Sequence, residues 1–320
     1  KQNGLSSLKP SHLNAVLRFK KAYVREDEVM AIKIEPTGKA LGAMVSGIDL
    51  SEDISLEDQE VIFSGWIEHM VLVFRNQTLQ FDDLLRLRHV FGPAGKTANQ
   101  LLGLGRKTYY SDEVPDDITI ISNITDANGH PKGSLGNGEA FWHTDSSFTE
   151  EPISASLLHA VEVSDQGGQT SFLNMYMAYE TLPVELRKVV DGAYSNHSKT
   201  HSSDGTPRQS YGEITDVSKA PGIRHPLVRL HPVTRKKCLF LGRRLNSFIF
   251  DYTVKESEEL LDKIWSHSCD PKFIWEHEWA VGDLLVWDNR CTMHHRKSFP
   301  AHERRLMHKS ITAGETVIPG

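Results

Sequence analysis

The chain has 320 residues, enough to bury a sizeable core, and 39% of them are hydrophobic, as is ordinary for a globular protein. The formal net charge of −6 provides no overall positive field for nucleic acid or an anionic membrane, so we expect neither partner. The cysteines, Cys238, Cys269 and Cys291, lack metal-type and disulfide-type spacing, and no apolar run is long enough to span a bilayer, so we expect a reducing, cytoplasmic location.

The beginning of the chain is polar and rich in Lys and Arg. We interpret residues 1–29 as an extension that is partly helical around Leu13 to Tyr23. A cleaner pattern of apolar and polar residues begins at Met30, and no internal repeat or linker follows it. We therefore expect residues 30–320 to form a single domain.

Apolar residues with a period of two predict strands, and apolar residues at helical spacing predict helices. The predicted strands are Ala31–Glu35, Leu41–Leu50, Val71–Arg75, Ile118–Ile124, Ser154–Val163, Gln169–Asn174, Tyr194–His197, His225–His231, Lys236–Leu241, Phe273–Trp279, Asp283–Asp288 and Arg304–Thr312. The predicted helices are Ser55–Met70, Phe81–Phe91, Tyr176–Thr181, Pro183–Val190 and Val254–His267, and irregular loops are predicted at 93–117, 125–138 and 201–221. This pattern indicates a mainly β fold with peripheral helices, either a sandwich or a jelly roll.

The segment Phe141–Phe148 holds an imidazole, His143, two positions before a carboxylate, Asp145. In an extended strand, residues i and i+2 point to the same face, so both side chains can aim at one point. They would supply two of the three protein ligands of a non-haem Fe(II) site, which needs a second histidine and keeps positions open for oxygen chemistry. Taken alone, such a pair is more often a histidine hydrogen-bonded near a turn aspartate.

The candidate for the third ligand is His294, far downstream on a strand that would return to the same point. The adjacent His295 is a rival, but strand alternation would send its side chain to the opposite face. We therefore favour His294 as the ligand.

Two further sequence features are suited to binding an anion. A period of two places Arg305, Met307, Lys309 and Ile311 on one face of the last long strand, and a cation that faces inward needs an anion to meet it. The sequence Gly167-Gly168-Gln169-Thr170 predicts a tight turn that delivers a hydroxyl donor.

These motifs together resemble one family. His143-x-Asp145, Gly167-Gly-x-Thr170, Trp287-Asp-Asn-Arg290, Thr292-x-His294 and Arg304-Arg305-x-Met307-His308 occur in the order and at about the spacings of the taurine dioxygenase family, which also includes 2,4-dichlorophenoxyacetate dioxygenase. The resemblance runs from about Ile32 to Gly314.

The resemblance implies a double-stranded β-helix, cupin-like core, and an enzyme that uses Fe(II), 2-oxoglutarate and O2. It implies His143, Asp145 and His294 as the catalytic iron ligands. Thr170 and Arg305 would hold the far carboxylate of 2-oxoglutarate, which suits a guanidinium because arginine offers two parallel donors to a carboxylate. The expected reaction hydroxylates a small, anionic organic substrate with release of succinate and CO2, and the family tends to form dimers or tetramers.

The substrate residues are less specific. Lys309 stands where sulfonate-acting members of the family have a second arginine, and the segment around His143 looks more like the aryloxyalkanoate branch. An amino-acid-like acid is a third candidate substrate, since Glu139 can pair with an amine. Candidate substrate contacts are Glu139, Ser146, Phe148, Arg243 and Lys309, although Phe148 is equally a core residue and Arg243 is more often a surface residue.

Two other classes of protein fit parts of the sequence. One is a catalytically silent β-helix protein that binds a small ligand, which the intact set of candidate ligands argues against. The other is a zinc hydrolase that uses the same three ligands, but it leaves Arg305 unexplained.

Overall fold

The computed structural model of the chain describes residues 31–103, 113–208 and 210–320. The predicted extension at 1–29, with its helical stretch around Leu13 to Tyr23, lies outside these residues, as do parts of the predicted loops at 93–117 and 201–221. Within the described residues, no helix is both long and apolar enough to cross a membrane.

Strands dominate the described chain, as the sequence predicts. They are β1 (Lys33–Pro36), β2 (Ala43–Ser46), β3 (Val71–Phe74), β4 (Thr119–Ser122), β5 (Ser134–Leu135), β6 (Ala140–His143), β7 (Ala155–Glu162), β8 (Thr170–Asn174), β9 (Tyr194–Ser198), β10 (Gly222–Pro226), β11 (Val228–Leu230), β12 (Lys237–Leu239), β13 (Phe248–Ile249), β14 (Ile274–His277), β15 (Leu284–Asp288), β16 (Thr292–Arg296), β17 (Leu306–Ile311) and β18 (Ile318–Pro319). The helices are α1 (Leu56–His69), α2 (Phe81–Phe91), α3 (Ala98–Leu101), α4 (Met175–Glu180), α5 (Val184–Val190) and α6 (Val254–Ser268), with 3-10 turns at Val217–Lys219 and Pro271–Phe273.

Two sheets face each other and form the central sandwich. The larger has the strand order β1-β2-β3-β15-β7-β17-β4-β5, and the smaller has the order β14-β8-β16-β6. Buried side chains of both sheets share one apolar cluster, in which Phe172 of β8 packs on Trp287 of β15 with 5.5 Å between ring centroids. The two remaining sheets, β10-β9-β13 and β12-β11-β18, each have three strands.

A second apolar cluster lies on the other side of the larger sheet. Trp66 of α1 and Leu84 of α2, both fully buried, pack there against strand residues such as Leu157 and Val286. Ser55 caps the start of helix α1, as its sequence predicts, because the Ser55 hydroxyl accepts a hydrogen bond from the Asp58 N–H at 3.1 Å.

The structure differs from the predicted strands at several places. The predicted strand Leu41–Leu50 is reduced to β2 because Gly42 and Gly47, with φ of 95° and 82°, turn the chain at both ends. The predicted strand His225–His231 is divided into β10 and β11. Pro226 has no N–H to donate, and the Leu227 N–H bonds to the Ala193 carbonyl.

The predicted loops also contain short elements. Helix α3 forms within 93–117, and β5 forms within 125–138. The strand expected to carry both His143 and Asp145 ends at His143, so Asp145 lies in a turn, which Ser146 completes with a φ of 52°.

Candidate active site

Two strands and one turn bring the candidate metal ligands together. β6 and β16 pair antiparallel with His143 directly opposite His294, and their ring centroids are 4.1 Å apart. The turn after β6 is fixed by Asn289, whose amide oxygen accepts from the Asp145 N–H at 2.8 Å and whose amide nitrogen donates to the Asp145 carbonyl at 2.9 Å. The Asp145 carboxylate therefore lies close to both rings, although Asp145 itself is on neither β6 nor β16.

The ligand atoms of these three residues all lie within 4.8 Å of one another. His143 Nε2 is 3.5 Å from one Asp145 carboxylate oxygen, and His294 Nε2 is 3.9 Å from the other. His143 Nδ1 is 2.7 Å from the Phe141 carbonyl, so Nδ1 carries the proton and donates it, and Nε2 keeps a lone pair that faces the carboxylate. This is the tautomer that a metal-binding histidine needs.

The charge states in the site also suit a metal ion. Burial lowers the pKa of His143 and of His294, and the neighbouring His143 lowers that of His294 further, so both rings are neutral near pH 7. Burial alone would raise the pKa of Asp145, but the Lys309 ammonium and then His294 hold it well below its usual range. Two neutral imidazoles and one carboxylate are the states in which these groups bind a divalent cation.

Lys309 holds Asp145 from the larger sheet. Its ammonium lies 2.5 Å from Asp145 Oδ2, and the Ser156 hydroxyl donates to the same oxygen at 2.9 Å. The Lys309 ammonium nitrogen lies over Trp287, 5.2 Å from the ring centroid. The hydroxyl and the ammonium fix Oδ2, which is also the oxygen nearer His294, and Oδ1 is left to face His143.

His295 faces away from this site. Its Nε2 is 2.5 Å from a carboxylate oxygen of Glu139, and its ring lies 5.3 Å from that of Trp142. The alternation that favours His294 therefore holds along β16. Glu139, a candidate substrate contact by sequence, lies with His295 on an outer cavity of about 770 Å³, so the structure does not bring it to the ligands.

Thr170 opens β8, after the predicted tight turn. Gly167 and Gly168 have φ of 75° and 73°, and a Cβ on Gly167 would lie 2.4 Å from the Ser298 carbonyl oxygen, so this turn needs glycine. The Thr170 hydroxyl oxygen accepts from the Trp279 indole N–H at 2.9 Å, which leaves the hydroxyl hydrogen available to donate.

Arg305 is 2% exposed, and no carboxylate among the described residues pairs with its guanidinium. Burial, followed by the nearby Arg296 cation, lowers the pKa of Arg305 to about 9. A buried cation without a counter-ion costs several kcal/mol. The environment of Arg305 therefore fits an incoming carboxylate.

A cavity of about 290 Å³ opens beside Asp145. Its walls include the candidate substrate contacts Ser146, Phe148, Arg243 and Lys309, together with Arg208, Leu135 and residues of α3. The structure thus brings all candidate substrate contacts except Glu139 to one space next to the three ligands.

Two guanidinium groups flank one aromatic ring in this cavity. The Cζ of Arg208 lies 4.3 Å from the Phe148 ring centroid, and that of Arg243 lies 5.9 Å from it. Their hydrogen bonds go to backbone carbonyls, from Arg208 to Lys199 at 2.7 Å and from Arg243 to His201 at 2.8 Å. Neither cation forms an ion pair with a described carboxylate, so the cavity favours anionic ligands.

A second cluster of potential metal ligands, His231, Asp288 and Cys291, is fully buried. Arg290 donates to both oxygens of Asp288, at 2.8 and 2.7 Å, and His231 Nε2 lies 2.9 Å from Asp288 Oδ2. Because the carboxylate is already fully bonded, this cluster is a structural network that supports the turn before β16.

Sequence reasoning missed two residues of the site. Asn289 belongs to the motif Trp287-Asp-Asn-Arg290, so its place in that motif was an available signal, although its contact with Asp145 was not. Arg208 lies in a predicted polar loop without periodicity, and nothing in the sequence marks it.

Comparison with known proteins agrees with this site. The model of the family described as "Taurine catabolism dioxygenase TauD, TfdA family" matches residues 33–310. The chain belongs to this family. Pentalenolactone F synthase of Streptomyces avermitilis is 34% identical to it, over 86% of this chain and 92% of that protein. The 2,4-dichlorophenoxyacetate dioxygenase of Cupriavidus pinatubonensis is 30% identical, over 90% of this chain and 100% of that protein.

Solved structures of the TauD/TfdA family also resemble the chain. A taurine dioxygenase from Burkholderia xenovorans superposes with a TM-score of 0.73 at 25% identity, over 90% of this chain and 91% of that one. AAD-2, solved with Mn(II) and N-oxalylglycine, superposes with a TM-score of 0.70 at 29% identity, over 89% and 98%. The predicted jelly roll and the predicted Fe(II)- and 2-oxoglutarate-dependent dioxygenase activity are confirmed at the level of the family.

Proposed function

We propose that His143, Asp145 and His294 bind the iron of this dioxygenase, and that Thr170 and Arg305 bind the far carboxylate of 2-oxoglutarate. The observation that carries this proposal is the convergence of two neutral imidazole nitrogens on one ionised carboxylate. Two histidines and one carboxylate on one side of an ion leave coordination positions for other ligands, as in non-haem Fe(II) oxygenases.

When bound, the metal and 2-oxoglutarate supply the oxidising chemistry, with succinate and CO2 as by-products of the co-substrate. The protein binds and orients the reactants. Arg305 and Thr170 offer a charged fork and a hydroxyl donor, a combination that discriminates a diacid from a mono-acid because the mono-acid would leave the buried guanidinium unpaired.

We propose a small organic anion as the substrate, in the range of aryloxyalkanoate-, sulfonate- or amino-acid-like acids. The guanidiniums of Arg208 and Arg243, which pair with no described carboxylate, line the cavity beside Asp145 and support an anion. The Phe148 ring, which both guanidiniums approach, provides an apolar wall for the rest of the molecule. A relative named for 2,4-dichlorophenoxyacetate, an aromatic acid, supports the same class.

We also propose that residues 30–320 form one domain, which the single family match over 33–310 supports. By the same family argument we propose a dimer or tetramer. We propose a cytoplasmic location because the three cysteines are all free thiols in the structure.

The iron site is tested by comparing neighbours on β16. We expect His294→Ala to lose Fe(II) binding and His295→Ala to retain it, because only His294 faces Asp145. Metal content after anaerobic reconstitution, measured by atomic absorption, decides between them. Loss of iron in the His295 variant with retention in the His294 variant would refute the assignment.

The reaction is tested on the intact protein. Anaerobic Fe(II) with 2-oxoglutarate should give a weak visible charge-transfer band, and adding O2 with the right acid should release succinate. A panel of sulfonates, aryloxyalkanoates and amino-acid-like acids, each compared with its neutral amide or ester, identifies the class. The proposed substrate class fails if neutral members of the panel trigger succinate release as well as the acids do.

A further inference from the structure

A second buried arginine, Arg296, lies next to the proposed co-substrate site. On β16 it follows His294 by two positions, and it is 5% exposed. The register with β8 pairs Arg296 with Thr170 and His294 with Phe172. Because alternate residues and cross-strand partners share a face, Arg296 and Thr170 lie on the same face as His294, roughly 6–7 Å further along the strands.

The hydrogen bonds of Arg296 use only part of its guanidinium. Nη2 donates to the Leu135 carbonyl at 3.0 Å and to the Gly138 carbonyl. Nε and Nη1 are buried and have no partner among the described residues. No described carboxylate forms an ion pair with Arg296, although the more distant Asp204 offsets some of the cost of its burial.

Phe299 and Gly168 connect Arg296 with Arg305 through neighbouring contacts. The Cζ of Arg296 lies 5.5 Å from the Phe299 ring centroid. A Cβ placed on Gly168 would touch both Phe299 and Arg305, at 3.7 and 3.8 Å. Arg305 in turn lies 5.9 Å from the ring of Trp279, which donates to the Thr170 hydroxyl oxygen. Arg296 is thus connected to Thr170 through the strand pairing, and Arg305 is connected to it through Trp279.

Two buried cations with free donors repel each other, and the Arg296 cation contributes to the lowered pKa of Arg305. A purely structural role for Arg296, holding the 134–138 segment, would use Nη2 and give no reason for the two nitrogens, Nε and Nη1, that have no partner among the described residues. An anion between the guanidiniums satisfies these donors and removes the repulsion.

We propose that Arg296 is a second co-substrate-binding arginine, so that the far carboxylate of 2-oxoglutarate is held between Arg305 and Arg296, with the Thr170 hydroxyl as a further donor. This inference rests on the proposed function. It makes the pocket specific for 2-oxo acids whose far end carries a full negative charge.

The test measures binding rather than turnover. The full-length protein is loaded with Mn(II) and titrated calorimetrically with N-oxalylglycine, a redox-inert analogue of 2-oxoglutarate, and with 2-oxobutyrate, which lacks the far carboxylate. Arg296→Met should weaken N-oxalylglycine binding by at least about tenfold, the loss expected for a hydrogen bond to a charged group. It should change 2-oxobutyrate binding and Mn(II) affinity by less than about threefold, because neither involves the far carboxylate.

Three variants serve as references. Arg305→Met should lose N-oxalylglycine binding in the same way, and Arg296→Lys should recover part of it because the charge returns without the fork. Arg304→Met is the matched control, since Arg304 is exposed and pairs with Glu162 at 2.7 Å. Arg296→Gln, which keeps a donor for the two carbonyls, replaces the Met variant if that variant does not fold.

The possible results distinguish the role of Arg296 from the proposed co-substrate site on which it rests. N-oxalylglycine binding within about twofold of wild type in the Arg296 variants, with a clear loss in Arg305→Met, overturns the role of Arg296 and leaves the proposed function standing. No loss in either arginine variant refutes the proposed co-substrate site itself. Equal losses for N-oxalylglycine and 2-oxobutyrate, without recovery in Arg296→Lys, assign Arg296 to loop structure and overturn the inference.

Discussion

Asn289 shows how one side chain outside the ligand set determines the geometry of the site. Its amide binds the N–H and the carbonyl of Asp145, and also donates to the Ile153 carbonyl at 2.8 Å. It therefore connects the turn after β6 to the turn before β16. Asp145 is aimed by this clamp, since it lies outside the strand that carries His143.

We expect Asn289→Ala to weaken Mn(II) or Fe(II) binding by about 10–100-fold, the usual effect of losing an outer-shell partner. The buried backbone groups that lose their partners should also lower the free energy of unfolding by roughly 1–3 kcal/mol. Metal titration and urea denaturation measure the two effects. Asn128→Ala, at an exposed loop position, is the control. An Asn289 variant with wild-type metal affinity would show that Asn289 does not position Asp145 for metal binding.

At the scale of elements, α2 packs on β17, the strand that begins directly after Arg305 and carries Lys309. Phe81, the first residue of α2, packs on His308 of β17 with 4.6 Å between ring centroids. Burial, followed by the nearby His159, lowers the pKa of His308 to about 4, below the unfolded value near 6.5. The neutral ring therefore contributes stability that is fully present above pH 6.5 and is lost as the pH falls towards 4.

We expect His308→Gln to flatten the pH dependence of stability, because glutamine does not titrate. Between pH 7.5 and 4.5 the metal-free variant should lose less free energy of unfolding than wild type, by roughly 1–3 kcal/mol, the range that the pKa difference allows for a partly exposed ring. Denaturant titrations at several pH values measure this. His302→Gln, at an exposed position, is the control. Parallel pH profiles of stability for wild type and the His308 variant would show that the protonation of His308 does not affect stability.

The same elements show what the sequence can predict. Helices α1 and α2 have local periodicity, and strands such as β3 and β15 are short, continuously buried apolar runs, so their types and approximate bounds are predictable. The break between β10 and β11 depends on which distant strand each half pairs with, and local pattern does not contain that information. The candidate ligands were found because their residue types are rare in combination, whereas Arg208 reaches the cavity only through tertiary packing.

At the scale of the whole molecule, the larger sheet separates two apolar clusters with different roles. The cluster between the facing sheets includes Phe172, whose ring stacks at 6.1 Å from that of His294, so this cluster also supports a candidate ligand. The cluster under α1 and α2 packs on the opposite face of the sheet. Stability and metal binding should therefore separate between the two clusters.

Matched truncations in the two clusters test this separation. Leu84→Ala, in the cluster under α2, should lower the free energy of unfolding by about 2–5 kcal/mol, and Phe172→Ala by about 3–5 kcal/mol, since both residues are fully buried. Under conditions in which both variants are folded, only Phe172→Ala should weaken Mn(II) binding, because the cavity it leaves frees the His294 ring to rotate. Denaturant titration gives the stabilities, and calorimetric Mn(II) titration gives the affinities. If Leu84→Ala weakens Mn(II) binding as much as Phe172→Ala does, the two clusters are not independent. Changes in the helical layer would then reach the metal site through the larger sheet.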